Sequence, residues 1–216
     1  MSSRASSFWK VIGVAGALAA LAAWPGISQA QLGLPGLPPL PGGGSGGTQT
    51  LTGQASAVTA VVLGTVTSLA DSGTLVDAAD PLGTGQPTGG IPGLLSAEAL
   101  HAATMGWTDQ VASEASLGNL SMTVAGIGIT ATTVISRALA VSGGVPVGLS
   151  NIEGLTIGGV SVSPTGLPNQ AVSIAGLNVI LNEQIQSASG IVVNALRIRT
   201  LDGLTDVAVG SARAGI

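Results

Sequence analysis

Few side chains in this sequence can move a proton near neutrality: it holds one histidine and no cysteine. His101 could act as a base or a ligand, and Glu98 lies three residues before it. A metal site needs further ligands at regular spacing, and no second histidine or cysteine supplies them. A serine nucleophile would have to use His101 as its base, yet no serine is framed as a strand-to-helix nucleophile elbow. His101 therefore reads as an ordinary strand or loop histidine. No catalytic residue is assigned, and the chain is not expected to be an enzyme.

The best cation candidates are Asp71, Asp77 and Asp80, in a stretch rich in Gly, Pro and Thr. Calcium takes about six to eight oxygens, and carboxylates on a glycine-rich loop can give some of them. Their spacing matches neither an EF-hand loop nor the nonapeptide repeat of a calcium-bound β-roll. Asp and Gly also occur together simply to make turns. Calcium is thus the one cofactor worth naming, and a weak one; otherwise no cofactor is expected.

A second polar group interrupts the aliphatic C-terminal half. Asn182, Glu183 and Asn194 sit in otherwise apolar runs, and alternation puts Asn194 on one face with Val192, Leu196 and Ile198. A buried amide must find partners, so these three read as pins that fix strand register. Arg197 and Arg199 share a strand face, and Arg213 lies near the end of the next strand. Asp202 and Asp206 are their expected partners across a hairpin, and exposed pairs of this kind contribute only about 0–1 kcal/mol each. Trp107 invites a sugar-stacking role, but a lone tryptophan more often plugs a core.

These residues need a scaffold, and composition limits its kind. Gly is abundant at 34 residues, aromatics make up 2% and charged residues 7%. Gly costs about 1 kcal/mol against Ala in a helix, whereas Val and Thr suit pleated, half-buried surfaces. Alternating runs cover Thr52–Leu69, then Leu120–Val124, Ile127–Thr133 and Ile152–Val162, whereas Ser96–Leu117 could be helix or strand: Glu98, His101, Met105 and Thr108 share helical spacing, but Gly106 and the β-branched flanks favour strand. Three more close the chain at Ala171–Asn182, Ile191–Thr200 and Asp206–Arg213, the last two joined by a turn at Leu201-Asp202-Gly203. Asp71–Pro92 reads as a long loop, and Pro164–Asn169 as a turn cluster. The expectation is an all-β chain folded as an antiparallel β-sandwich in one domain. A short β-solenoid would suit the glycine content but needs a fixed period, which is missing.

The first residues address the chain. Arg4 and Lys10 precede an apolar run of 13 residues, Val11–Ala23, and Ser28-Gln29-Ala30 offers a small-residue cleavage site. That is the order of a secretory signal peptide, with cleavage expected after Ala30. The run is short of the ~20 residues a spanning helix needs. Residues 31–51, with Leu34-Pro35-Gly36-Leu37-Pro38-Pro39 and then a run of glycines, read as a Pro/Gly-rich disordered spacer. The β domain is then 52–216. Processing would leave Arg137, Arg197, Arg199 and Arg213 against ten carboxylates, a net charge of about −6 that carries neither a nucleic-acid footprint nor a polybasic membrane patch.

The C-terminal half also carries a familiar order of phrases. Ala115-Ser116-Leu117-Gly118-Asn119-Leu120 leads to Gly128-Ile129-Thr130-Ala131-Thr132-Thr133-Val134 and then Ile152-Glu153-Gly154-Leu155-Thr156-Ile157. Asn182-Glu183-Gln184, Val193-Asn194-Ala195-Leu196 and Asp206-Val207-Ala208-Val209-Gly210-Ser211-Ala212-Arg213 come after these, and are the most specific. Over roughly Gly53–Ile216 the sequence resembles the choice-of-anchor P family of exported bacterial proteins. The resemblance implies a secreted or cell-surface module without catalytic residues. It departs from the family at Arg197, where members often carry histidine. Stopping at Ile216, it has no hydrophobic anchor or basic tail, which favours release or non-covalent assembly.

The function expected is a non-catalytic structural or interaction module outside the cytoplasm, whose partners are other copies of itself or cell-envelope components. Strand edges with few charges could pair between copies, supplied by the terminal strand Asp206–Ile216 or the segment before Thr52. The alternative is an extracellular module binding polysaccharide or calcium at Asp71–Pro92.

Overall fold

Turn chemistry cuts the aliphatic runs into shorter strands than alternation alone shows. The computed structural model describes residues 50–76 and 81–216, all within the unit Gly46–Ile216. The expected signal segment, nearly all of the spacer, Asp77 and Asp80 lie outside the described residues. In chain order the strands are β1 (Thr52–Val62), β2 (Thr65–Asp71), β3 (Leu82–Ile91), β4 (Leu95–Gly106) and β5 (Gln110–Val124). Next come β6 (Ile127–Val141), β7 (Val147–Glu153), β8 (Thr156–Ile157) and β9 (Val160–Ser161). The last are β10 (Gln170–Ile174), β11 (Leu177–Ser187), β12 (Gly190–Thr200) and β13 (Thr205–Gly215).

The run Thr52–Leu69 is thus a hairpin. Leu63 and Gly64 both have positive φ (49° and 80°), as the mirror-image two-residue turn requires. Ser96–Leu117 divides at Trp107–Asp109, and Ala171–Asn182 at Ala175-Gly176. Ile152–Val162 is the end of β7 and then the two short strands β8 and β9. The one outright reversal is Asp71–Pro92. Its second half is strand β3, whose Gly, Thr and Pro87 suit a sheet edge, where a missing N–H and absent side chains cost little.

The strands form two sheets in which every pair is antiparallel, an all-β arrangement consistent with a sandwich. One has the order β10-β11-β12-β13-β1-β2; the other runs β3-β4-β5-β6-β8-β9, with β7 also on β6. This corrects one of the two expected edges: β13 lies between β12 and β1, so Asp206–Ile216 is not an edge strand, while nearly all of the segment before Thr52 lies outside the described residues.

In the long strands the buried set changes parity once. β13 buries Val207 and Val209, then Ala212 and Ala214; β4 buries Leu95 and Ala97, then Leu100 and Ala102. Each change falls on one row of residues running across the sheet. In the six-stranded sheet that row is Asn182, Ala195, Gly210, Ala57 and Ala70, with positive φ at Asn182, Gly210 and Ala70 (49°, 60° and 47°). In the other it passes through Ala99 and Asn119, at 48° and 47°. Across the six-stranded row the pairing resumes in unchanged register, so no strand gains a residue. A left-handed residue turns the chain about its own axis, and the residues beyond it present the other set of side chains inward.

At this waist the core is made of the smallest side chains. Ala57 and Ala195 are fully buried there, and Ala55, Ala102 and Ala115 form a small cluster of their own. Larger residues fill the space on either side, with Leu196, Ile198 and Leu120 to one end and Val111, Ile191 and Val193 to the other. Close approach lets Ser113 Oγ donate across the sheets to the carbonyl of Arg213 at 2.6 Å. A Cβ at Gly210 would stand 3.2 Å from Val134 Cγ1 and 3.3 Å from Ala195 Cβ.

Gly210→Val should therefore lose about 2–5 kcal/mol, combining left-handed strain with overpacking. Gly128→Ala, where a Cβ meets open space, should stay within about 0.5 kcal/mol of the parent. Urea unfolding of both variants checks this; equal losses would remove the waist as the explanation. Ser136 Oγ is buried beside Gly210 with no hydrogen-bond partner among the described residues. Ser136→Ala should leave stability unchanged or raise it by about 1–2 kcal/mol in the same assay, and a loss would show that the hydroxyl is satisfied.

Candidate functional site

The parity change decides which polar groups meet. Before the row, β12 turns Ile191 and Val193 inward; after it, Leu196 and Ile198. Asn194 and Arg197, three residues apart, thereby come to the same outer face of the six-stranded sheet. They bond to one carboxylate oxygen: Asn194 Nδ2 donates to Glu183 Oε2 at 2.7 Å and Arg197 Nη1 donates to it at 3.1 Å. Asn194 is buried as expected, but on the opposite face from Leu196 and Ile198. Plain alternation fails because Ala195 sits in the row.

Arg197 also holds Asp206 in a fork, with Nε to Oδ1 at 2.9 Å and Nη2 to Oδ2 at 2.7 Å. Arg199 Nη2 donates to Glu183 Oε1 at 3.2 Å, and its Nε lies 3.3 Å from Asp206 Oδ2. The result is a closed ring, Glu183–Arg197–Asp206–Arg199, of alternating charge across β11, β12 and β13. Glu183 is 8% exposed at its side chain, whereas Arg199 is 37% exposed. The hydrogen bond from Arg197 tops the influences on that guanidinium and raises its pKa against a smaller lowering by burial. For Asp206, burial is the largest single influence and pushes the carboxyl up. The bond from Arg197 and the charges of both arginines outweigh it, so the net shift is down.

Asn182 acts at the opposite face of β11. Its Nδ2 donates to the carbonyl of Gly166 at 3.0 Å, and its Oδ1 accepts from Gln184 Nε2 at 3.0 Å. Gln184 Nε2 also reaches the carbonyl of Gly148 on β7 at 3.0 Å, which ties the two sheets. Asn169 Oδ1 accepts from the Gln184 N–H at 2.9 Å, so the Pro164–Asn169 turn is clamped onto β11. The cleft beneath that turn, lined by Asn151, Gln170 and Asn182, encloses about 220 Å³. Ligand pockets for drug-sized molecules run from about 300 Å³ upward.

The other sequence candidates disperse. Arg213 is exposed, stands opposite Val192 and Gln54, and takes no part in the ring; its backbone carbonyl is what bonds. Asp202 does not pair with an arginine. It caps the β12–β13 loop, accepting from Thr200 Oγ1 at 2.6 Å and from the Leu204 N–H at 2.9 Å. Asp71 is likewise occupied, accepting from Gln54 Nε2 at 3.2 Å and from the Gly73 N–H at 2.8 Å. His101 lies half-buried on β4 opposite Gly85 and Ser116, while Glu98 accepts from Asn119 Nδ2 at 2.8 Å. Among the described residues no three His, Asp or Glu side chains gather as a metal site. Trp107 is at the surface, 38% exposed, in the β4–β5 turn and not in the core.

A further ion pair went unread in the sequence. Glu114, buried on β5, accepts from Arg137 Nε on β6 at 2.6 Å. Both lie in alternating strand stretches, so a carboxylate and a guanidinium on facing outward positions were the available sign.

The ring can hold three strands in register, and its carboxylates are already neutralised by arginine. The folded pKa of Asp206 lies below its unfolded value, so its contribution is present above the ordinary carboxylate range near pH 4 and is lost as pH falls through the folded value. Asp206→Asn should be less stable than the parent at pH 7, and the gap should close as pH falls below the ordinary carboxylate range near 4. Denaturant unfolding across that range measures it, and a gap constant with pH would refute it.

Comparison of this chain with family models, curated proteins and solved structures finds no match.

Proposed function

We propose that the chain is an exported, non-catalytic structural or interaction module of the choice-of-anchor P type, released by cleavage after Ala30 and carried on a Pro/Gly-rich spacer. It works outside the cytoplasm by pairing a strand edge with another copy or an envelope partner.

The observation that carries this reading is β3. It is an edge strand of ten residues, LGTGQPTGGI, with no charged side chain, and most of it is exposed. Protein edges are usually blunted by lysine, inward charge or covering elements. Here Pro87 is the one such device, removing a donor midway, and it leaves Leu82–Gln86 as continuous edge backbone. Strand addition needs such a row of backbone groups and few side-chain contacts. With β13 interior, this edge takes the role expected of the terminal strand Asp206–Ile216. Calcium at the Asp71–Pro92 stretch gains no support from Asp71, whose carboxylate closes its own turn.

Gln86→Lys adds a charge at the exposed middle of this edge without touching the core. Light scattering of the purified chain should show a concentration-dependent rise from monomer to dimer mass in the parent and its loss in the variant. Equal growth in both would dismiss β3 as the pairing edge.

A further inference from the structure

From Pro81 to Pro87 the chain reads Pro-Leu-Gly-Thr-Gly-Gln-Pro, which is nearly the same in both directions about Thr84. A glycine adjoins the centre on either side, and a proline closes either end. Backbone direction gives this symmetry its meaning. In an L-residue strand, the face that holds a side chain fixes the lateral side to which that residue points its N–H and C=O. Ile91 turns inward against the core, and its carbonyl accepts from the Leu94 N–H in the β3–β4 turn. Inward residues of β3 therefore aim their backbone groups at β4, and Leu82 and Thr84 are of this kind.

Gly83 and Gly85 alternate with them and aim both N–H and C=O at the free edge. Pro81 and Pro87 share that parity, so their missing donors are edge donors and β4 loses no bond. Between the prolines, the edge thus offers two donors and two acceptors, all on glycine. The fold treats another free edge of this sheet differently. On β7 the carbonyls of Pro146 and Gly148 accept from Gln186 Nε2 and Gln184 Nε2 of β11, both at 3.0 Å. Among the described residues no side chain covers the backbone of Gly83 or Gly85 in this way.

We infer that the occupant of this edge is the same segment of a second copy, antiparallel and related by a two-fold axis through Thr84. The inference rests on β3 being the pairing edge proposed above. The axis sets Thr84 against its own copy, Gly83 against Gly85, and proline against proline. Each Gly83–Gly85 pair exchanges two backbone bonds, so every donor and acceptor of both glycines is used. Moving the axis one residue either way puts a proline ring opposite a glycine, whose carbonyl then lacks a donor. Only the Thr84-centred register satisfies the segment. A two-fold contact requires such self-complementarity, and an unrelated strand partner would not. The prolines also end the ladder, so pairing closes at two copies.

The chain has no cysteine, so disulfide capture reads the register directly. Opposed residues that share no hydrogen bond have Cα atoms about 4.5 Å apart, within disulfide reach. Under mild oxidation Thr84→Cys should link into a dimer at least about tenfold faster than Leu201→Cys, which is exposed in the β12–β13 loop. Gly83→Cys and Gly85→Cys should link to each other when mixed. Each should link poorly alone, because like positions lie roughly 8 Å apart. A Cβ at either glycine meets nothing closer than 3.6 Å, so both variants should fold, which circular dichroism checks. Adding Gln86→Lys to Thr84→Cys should abolish the linkage. If the dimer is lost with Gln86→Lys yet Gly83→Cys or Gly85→Cys links by itself, or Thr84→Cys links no faster than Leu201→Cys, the register is wrong and the edge stands. A dimer indifferent to Gln86→Lys would overturn the edge and the register together. A parent that stays monomeric at every concentration would overturn self-pairing and leave the edge to an envelope partner.

Discussion

Antiparallel strands of eleven to fifteen residues present a difficulty that short strands avoid. Twist accumulates along them, and one alternation must serve a core whose shape changes from end to end. In this protein the change is concentrated at a single row in each sheet, where left-handed residues at Asn182, Gly210 and Ala70, or at Ala99 and Asn119, hand the inward role from one set of side chains to the other. The rest of the structure depends on that exchange. It demands alanine and glycine at the waist, since both Ala195 and Leu196, or Ala57 and Val58, turn toward the core in succession. It also gathers polar groups outside, because residues three apart come to share a face.

The ring of Glu183, Arg197, Asp206 and Arg199 is the clearest product. Its members could not all meet on a regular strand pair with Asn194 joining them. Once they do, each charge has two opposite neighbours, and the ordering of one side chain serves two bonds. A second set, Ser56 and Thr59, bonds across the same row on β1 through their hydroxyls at 3.1 Å. The buried polar residues of this sheet are therefore mostly fixtures of the waist and not parts of an open site. Among the described residues, the exposed edge strand β3 lies elsewhere, in the other sheet.

Fold class was legible in the sequence because Val, Thr and Gly leave little scope for helices, and the hairpin marked by Asp202-Gly203 announces itself. Burial was legible within each half strand: Leu120, Met122 and Val124 alternate with Ser121 and Thr123 as the pattern says. The crossing of the row was not legible. Alanine at position 70 or 99 gives no sign of positive φ, a conformation that costs it energy and that only the assembled sheet imposes. Asn119 and Asn182 were the readable exceptions, since asparagine tolerates that region. β3 was hidden because its residues are those of a loop, and only pairing to β4 makes them a strand. The charged partners Arg197 and Asp206 were readable from hairpin spacing, but nothing in the sequence marks Glu183 as their third member.

The adjacency of β1 and β13 has a consequence for how the molecule comes into being. Thr52 pairs with Gly215, and β13 is the plank between β12 and β1, so the six-stranded sheet stays in two pieces until residues 205–215 are present. A nascent chain can complete its local hairpins early, yet its most buried seam is also its most distant in sequence. The six-stranded sheet therefore closes only after residues 205–215 are made, whereas the other sheet draws all its strands from the continuous stretch 82–161.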